Sequence, residues 1–180
     1  MSDVSVNLTQ LDPVWEQIVS EAEQAVLDEP FLGSVFHSSI LHHDSLEKSL
    51  AYRIALKLAS NEMPEQTLRE ICDEAYRSNP SLKESARADL AAVYDRDPAC
   101  HSLLQPLMFF KGFQAVQSYR IANWLWQNGR NELAYFFQMR ISEMFGVDIH
   151  PAARIGKGIM IDHAHSIVIG GTAVVGDNVS

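Results

Sequence analysis

Residues 147–176 read VDIHPAARIGKGIMIDHAHSIVIGGTAVVG. Helical spacing of apolar residues is missing from this stretch, and a period of six takes its place. Ile149, Ile155, Ile161 and Ile167 recur every six residues, with Ala152, Ala153, Gly156, Gly158 and Ala164 between them. Such a period marks a hexapeptide solenoid, in which each turn is a triangle of three hexads with aliphatic side chains pointing inward. The expected fold here is a left-handed parallel β-helix. The phase slips once. Ile155-Gly156 and Ile169-Gly170 lie fourteen residues apart, whereas Ile169-Gly170 and Val175-Gly176 lie six apart. Two extra residues therefore fall in the stretch that holds His163 and His165, and insertions in a regular ladder re-aim side chains near functional sites.

Upstream of this stretch, residues 1–145 read as helical. Asp12-Pro13 is a cap followed by proline at the first helical position. Val14, Trp15, Ile18, Ala22, Ala25 and Val26 then share one side, and Pro30 stops the helix. FLGSVFHSSILHH (31–43) is a second apolar segment. Asp44 is the expected cap of the next helix, with Glu47 three residues later as in a capping box. Pro64 opens a helix that Pro80 closes; the helix after Pro80 ends near DRDP (95–98), where Pro98 pushes Asp97 towards extended backbone. Pro106 is expected to begin one long apolar helix that Asn128-Gly129 breaks, and Gly146 to end the last one. The aromatics between Phe109 and Phe137 exceed the needs of one amphipathic stripe. They fit a buried helical hairpin or, as the alternative, a surface of which part is a subunit interface.

The expected class is therefore α+β multidomain: an all-α domain over 1–145, then the start of a β-helix over 146–180. Fewer than two coils are present, and solenoids need about three or more repeats. The reading expects a longer protein whose later coils are missing.

Net charge is −9, and Lys and Arg form no run. That balance excludes the phosphate neutralisation that nucleic acid or an anionic membrane requires. Cys72 and Cys100 make neither a disulfide framework nor a metal spacing, which suits the cytoplasm. MSDVSVNLTQ (1–10) has no leader pattern, and no apolar run is long enough to span a bilayer.

Two chemistries compete for the histidines. Residues i and i+2 on a strand share a face, so His163 and His165 could hold a metal with Asp162, Asp148 or a neighbouring chain supplying a third ligand. Alternatively, Asp148 lies fifteen residues before His163, close to one triangular turn once the slip is counted. A carboxylate on one ring nitrogen fixes the tautomer and strengthens the other nitrogen as a base. His42-His43 reads as a solvated helix entry.

RDPA (96–99), KGFQAVQSYRIANWLW (111–126), VDIHPAARIGKGIMIDHA (147–164) and VIGGTAV (168–174) together resemble the serine acetyltransferases. The resemblance implies acetyl transfer from acetyl-CoA to the hydroxyl of L-serine, giving O-acetyl-L-serine, the first step of cysteine biosynthesis. It implies His163 as general base, Asp148 as its partner, and Asp97 and Asp162 as carboxylates that hold the substrate. It further implies direct attack in a ternary complex, acetyl-CoA as co-substrate, no resident cofactor and no metal. Most CoA contacts would lie beyond Ser180. The implied assembly is a trimer or dimer of trimers with sites between subunits. O-acetylserine sulfhydrylase would dock on a C-terminal tail that this sequence lacks. The family pattern HATG.V.GETAV departs at three places: His165 replaces threonine, Ser166 glycine and Gly171 glutamate. Two rivals stand beside this reading: a sugar or amino-sugar O-acetyltransferase, and an inactive oligomerisation module.

Overall fold

A computed structural model describes residues 12–180; the N-terminal stretch read above as leaderless lies outside the described residues. Helix α1 spans Pro13–Asp28, and the Asp12 carboxylate accepts the Trp15 N–H at 3.4 Å. Trp15, Ile18 and Ala22 of the expected face are buried, and Val14, Ala25 and Val26 pack beside them. The second apolar segment is broken into a 3₁₀ turn (Pro30–Leu32), a short helix α2 (Gly33–Phe36) and a π-turn (His37–Leu41). Next come α3 (Leu46–Leu58), α4 (Glu65–Ser78) and α5 (Pro80–Arg96). Helices α6 (Leu104–Phe109), α7 (Lys111–Gln127) and α8 (Asn131–Phe145) complete the helical part. No described helix is long and apolar enough to cross a membrane.

Three local expectations are corrected. The cap of α3 is Ser45 rather than Asp44, with no side-chain cap bond. Glu47 does not fold back to form a capping box; its carboxylate accepts from Arg87 Nη1 at 2.6 Å. Arg87 also pairs with Asp12, so one guanidinium ties the starts of α1 and α3 to α5. The long apolar helix is two helices, separated at Phe110, whose backbone is extended (φ −91°, ψ 104°). The carbonyls freed by this break find donors elsewhere: Met108 O accepts from Arg53 Nη2 at 2.8 Å and Leu107 O from Gln114 Nε2 at 3.0 Å. Apolar periodicity cannot reveal a break that is satisfied by side chains from other segments. Lastly, His43 is half-buried, with Nε2 3.0 Å from Ser38 O and its ring on Tyr52, and burial lowers its basicity.

Gly146 closes α8 in the left-handed conformation (φ +70°), and the strands begin at once. β1 (Val147–Ile149) pairs in parallel with β3 (Ile167–Ile169), and β2 (Arg154–Ile155) with β4 (Val174–Val175). The registers Val147↔Ile167 and Arg154↔Val174 both give a turn of twenty residues. The turn is thus three hexads plus the two extra residues seen in the sequence. The architecture is the expected helical part followed by the first coils of a left-handed parallel β-helix.

Helix α7 joins the two parts. All of its residues from Gly112 to Ala122 are buried, including Gln114, Gln117, Ser118 and Arg120. Asp89 of α5, fully buried, accepts from Arg120 Nε (2.7 Å), Arg120 Nη2 (2.9 Å), Gln117 Nε2 (2.8 Å) and the Ile159 N–H (2.9 Å). Arg120 also donates to Gly156 O at 2.8 Å. The Tyr119 hydroxyl donates to Ala153 O at 2.5 Å, and burial pushes its pKa up to about 12, so it keeps its proton. Asn123 donates to Pro151 O and Ala153 O. The coil's first corner is therefore held by polar groups of a buried helix, and its apolar residues Val147, Ile149, Ala153 and Ala164 share the helices' core.

Removing one partner of a buried ion pair strands the other, at a cost of about 3–5 kcal/mol. Asp89→Ala is expected to lower stability by about that amount, measured as the midpoint shift in urea at unchanged slope. A joint replacement of Asp89 and Arg120 by leucine and methionine is expected to lose less. Gly112 carries a second prediction. A Cβ there would stand 1.9 Å from the Ile161 carbonyl oxygen. Although alanine favours helix by about 1 kcal/mol, Gly112→Ala is expected to lower the melting temperature and raise amide exchange at 160–163.

Candidate active site

A cavity of about 510 Å³ opens where the end of α5, the start of α7 and the chain after β2 converge. Its apolar wall comes from Val93, Phe109, Phe110, Phe113, Met160 and Ile161, and its polar groups are Asp97, Lys111, Asp162 and His163. Apolar concavities with a few convergent polar groups are the usual form of small-molecule sites.

Each polar group is positioned by backbone chemistry. Asp97 caps α5 with extended backbone (φ −90°, ψ 109°), as the following proline requires. Its Oδ1 accepts the Ala99 N–H at 2.8 Å, which fixes the carboxylate at the cavity wall. Gly112 has no side chain, and so the Ile161 backbone lies directly on α7 and carries Asp162 and His163 to the same wall. His163 is the centre of a tight turn in which the Ala164 N–H donates to Asp162 O at 2.5 Å. His163, Ala164 and Ser166 all have left-handed backbone (φ +51°, +52°, +55°). Such backbone costs a non-glycine residue about 1–2 kcal/mol. Burial of the Ala164 methyl and the docking of Ile161 hold the turn in place.

This turn accommodates the two inserted residues, and it overturns the shared-face argument for a His163–His165 metal pair. The segment is not a strand, so i and i+2 do not point the same way. Among the described residues no three His, Cys, Asp or Glu side chains are grouped where a metal could be held. His165 instead lies near Gly146, its Nδ1 3.7 Å from where a Cβ on that glycine would stand.

Three of the four residues singled out from sequence, Asp97, Asp162 and His163, line one cavity. Asp162 Oδ1 accepts the His163 N–H at 2.8 Å, and its Oδ2 lies 3.4 Å from His163 Nε2. The imidazole is 91% exposed. Asp148 is elsewhere. Its register partner one turn on is Val168, not His163, because the turn is twenty residues long. Its carboxylate faces α8, where Oδ1 accepts from Gln138 Nε2 at 2.7 Å. Within one chain no hydrogen bond or ion pair joins Asp148 to His163 among the described residues.

Sequence reading missed Gly112 and Lys111 in the cavity. A glycine within a strongly apolar helical pattern signals close backbone approach, so Gly112 was legible in principle. Two of the departures have a visible physical setting. Ser166 occupies a left-handed position that glycine adopts without strain. At Gly171 a Cβ would lie 2.8 Å from His150 Nδ1, and the His150 ring fills that space against Trp126 and Tyr135.

A family model described as serine acetyltransferase, N-terminal, matches residues 14–118. A serine acetyltransferase from Haemophilus influenzae is 51% identical over 167 residues, covering 93% of this chain and 62% of that protein. One from Salmonella typhimurium is 48% identical over 171 residues, covering 95% of this chain and 63% of that protein. This chain therefore spans somewhat less than two thirds of the length of those relatives. The crystal structure of serine acetyltransferase in complex with coenzyme A from Brucella abortus matches with a TM-score of 0.91 at 43% identity, covering 94% of this chain and 68% of that one. The matches run through Asp97 and the packed helices into the twenty-residue coil turn, and on that ground the chain belongs to the serine acetyltransferase family.

Proposed function

We propose that this chain forms the helical part and first coils of an enzyme that transfers acetyl from acetyl-CoA to the hydroxyl of L-serine. The observation that carries the reading is the convergence of Asp97, Asp162 and His163 on one cavity from segments far apart in sequence. Two carboxylates beside an exposed imidazole suit a substrate with an ammonium group next to a hydroxyl. The coenzyme A bound by the Brucella abortus relative supports acetyl-CoA as the donor.

In this reading His163 takes the proton of the serine hydroxyl through a ring nitrogen. The oxygen attacks the thioester carbonyl carbon, the tetrahedral adduct collapses, and the carbon–sulfur bond breaks. His163 returns the proton to the leaving thiolate, giving O-acetyl-L-serine and CoA. No covalent enzyme intermediate forms. Asp97 and Asp162 hold the ammonium group. Asp148 orients the imidazole of a neighbouring protomer, because its own chain's His163 lies in a different environment. The exposed flank of α8 around Tyr135 and Met139, next to Asp148, supports a subunit contact there. The helical part, 1–145, contributes Asp97 and a second contact surface. Support for that surface comes from the exposed group Leu27, Phe31, Leu32 and Val35.

Two tests use a protein of the relatives' full length. Asp97→Ala is expected to raise KM for serine far more than KM for acetyl-CoA, whereas His163→Ala costs kcat the about 10²–10⁴-fold typical of a general base. Equal changes in both KM values would point instead to a neutral alcohol such as a sugar. For the shared site, inactive His163→Ala and Asp148→Asn chains are mixed, unfolded and reassembled. A site built from His163 of one chain and Asp148 of the next is restored at about a quarter of the interfaces in a randomly mixed ring. Recovered turnover is the expected outcome; none at all would place both residues in one chain's site.

A further inference from the structure

Gln138 lies on the flank of α8 that faces the strands, at helical spacing from Tyr135 and Ser142. It is half-buried, whereas the helix's core contacts come from Ala134, Phe137, Ile141 and Phe145. Among the described residues its side chain bonds once, Nε2 donating to Asp148 Oδ1 at 2.7 Å. Asp148 sits between the buried Val147 and Ile149, so strand alternation turns its carboxylate outward, away from the coil interior. Both residues line a shallow cleft of about 340 Å³ with Tyr135, Met139, Ser142 and Glu143.

We infer that Gln138 is a positioning residue for the acetyl-transfer reaction: its amide holds one oxygen of Asp148 and leaves the other free to receive an imidazole N–H from His163 of the partner subunit. The inference rests on the dyad reading given above. An aspartate carboxylate hangs on one methylene, and its broad Cβ–Cγ torsion lets it present either oxygen. A donor on Oδ1 removes that freedom and sets the carboxylate plane before the histidine arrives. A glutamine suits the task because it donates without carrying charge. A lysine or arginine at this place would pair with the carboxylate and compete with the imidazole. The amide, by contrast, leaves the negative charge available to stabilise the imidazolium that forms as the hydroxyl loses its proton. Glu143, the nearest other acid in the cleft, is engaged by Arg140 and so does not compete for the amide.

The experiment is a double-mutant cycle at Gln138 and Asp148 in the full-length protein, read as kcat, serine KM and melting temperature. Gln138→Ala is expected to lower kcat about tenfold, the scale of one hydrogen bond to a charged group, with serine KM and melting temperature nearly unchanged. In the Asp148→Asn background the same change is expected to have no further effect on kcat. Gln138→Glu sets two carboxylates against each other; it is expected to depress kcat more than alanine does and to shift the pH profile upward. If Asp148→Asn lowers kcat but Gln138→Ala leaves it intact, or multiplies the loss, the positioning role is overturned while the dyad stands. If Asp148→Asn itself keeps wild-type kcat, the dyad falls and the role of Gln138 falls with it.

Discussion

The buried carboxylate of Asp89 organises the molecule. Four donors converge on it, three from side chains of α7 and one from the coil backbone at Ile159. An anion without solvent contact is tolerable only when its lone pairs are matched in this way. Meeting that requirement fixes the angle of α7 to α5 and the height of the chain after β2 at the same time. Arg120 then extends the network to Gly156 O. A helix packed only through apolar side chains could slide by a residue at modest cost; one bonded to a particular corner of a coil cannot. The cavity that contains Asp97 and Asp162 is built across this junction, so its shape inherits that rigidity.

Much of the fold could be read from residue spacing. Asp12-Pro13, Pro80, Asn128-Gly129 and Gly146 mark helix ends because their backbone preferences are local and strong. The fourteen-residue gap between Ile155-Gly156 and Ile169-Gly170 revealed two extra residues in the coil, since hexad phase is an arithmetic property of one strand path. Features set by distant partners could not be read. Glu47 has the spacing of a capping box, but Arg87 lies forty residues away in sequence and takes its carboxylate. The break at Phe110 depends on Arg53 and Gln114 covering freed carbonyls. Periodicity carries no trace of either.

The site shows the same division. The insertion drew attention to His163, whereas Asp97 and Asp162 were legible as site residues only through the resemblance to the serine acetyltransferases. Counting residues also suggested that Asp148 would stack near His163, but the register sets Asp148 opposite Val168. The count took eighteen residues as the turn and treated the slip as a correction. The slip is instead part of the perimeter, and it lies wholly on the side of the coil that carries the imidazole. One chain can therefore place His163, Asp97 and Asp162 together and still leave Asp148 on another face.

Both ladders keep an offset of twenty, so strands before and after the turn at 163–166 stay aligned although the path between them is longer. Regularity and protrusion are consequently written in different residues: aliphatic hexads maintain the prism, while two surplus positions push one vertex beyond its outline. The ladders on either side make the same parallel pairings whatever the path between them does. The prism and the vertex that bears His163 are thus specified by separate sets of residues.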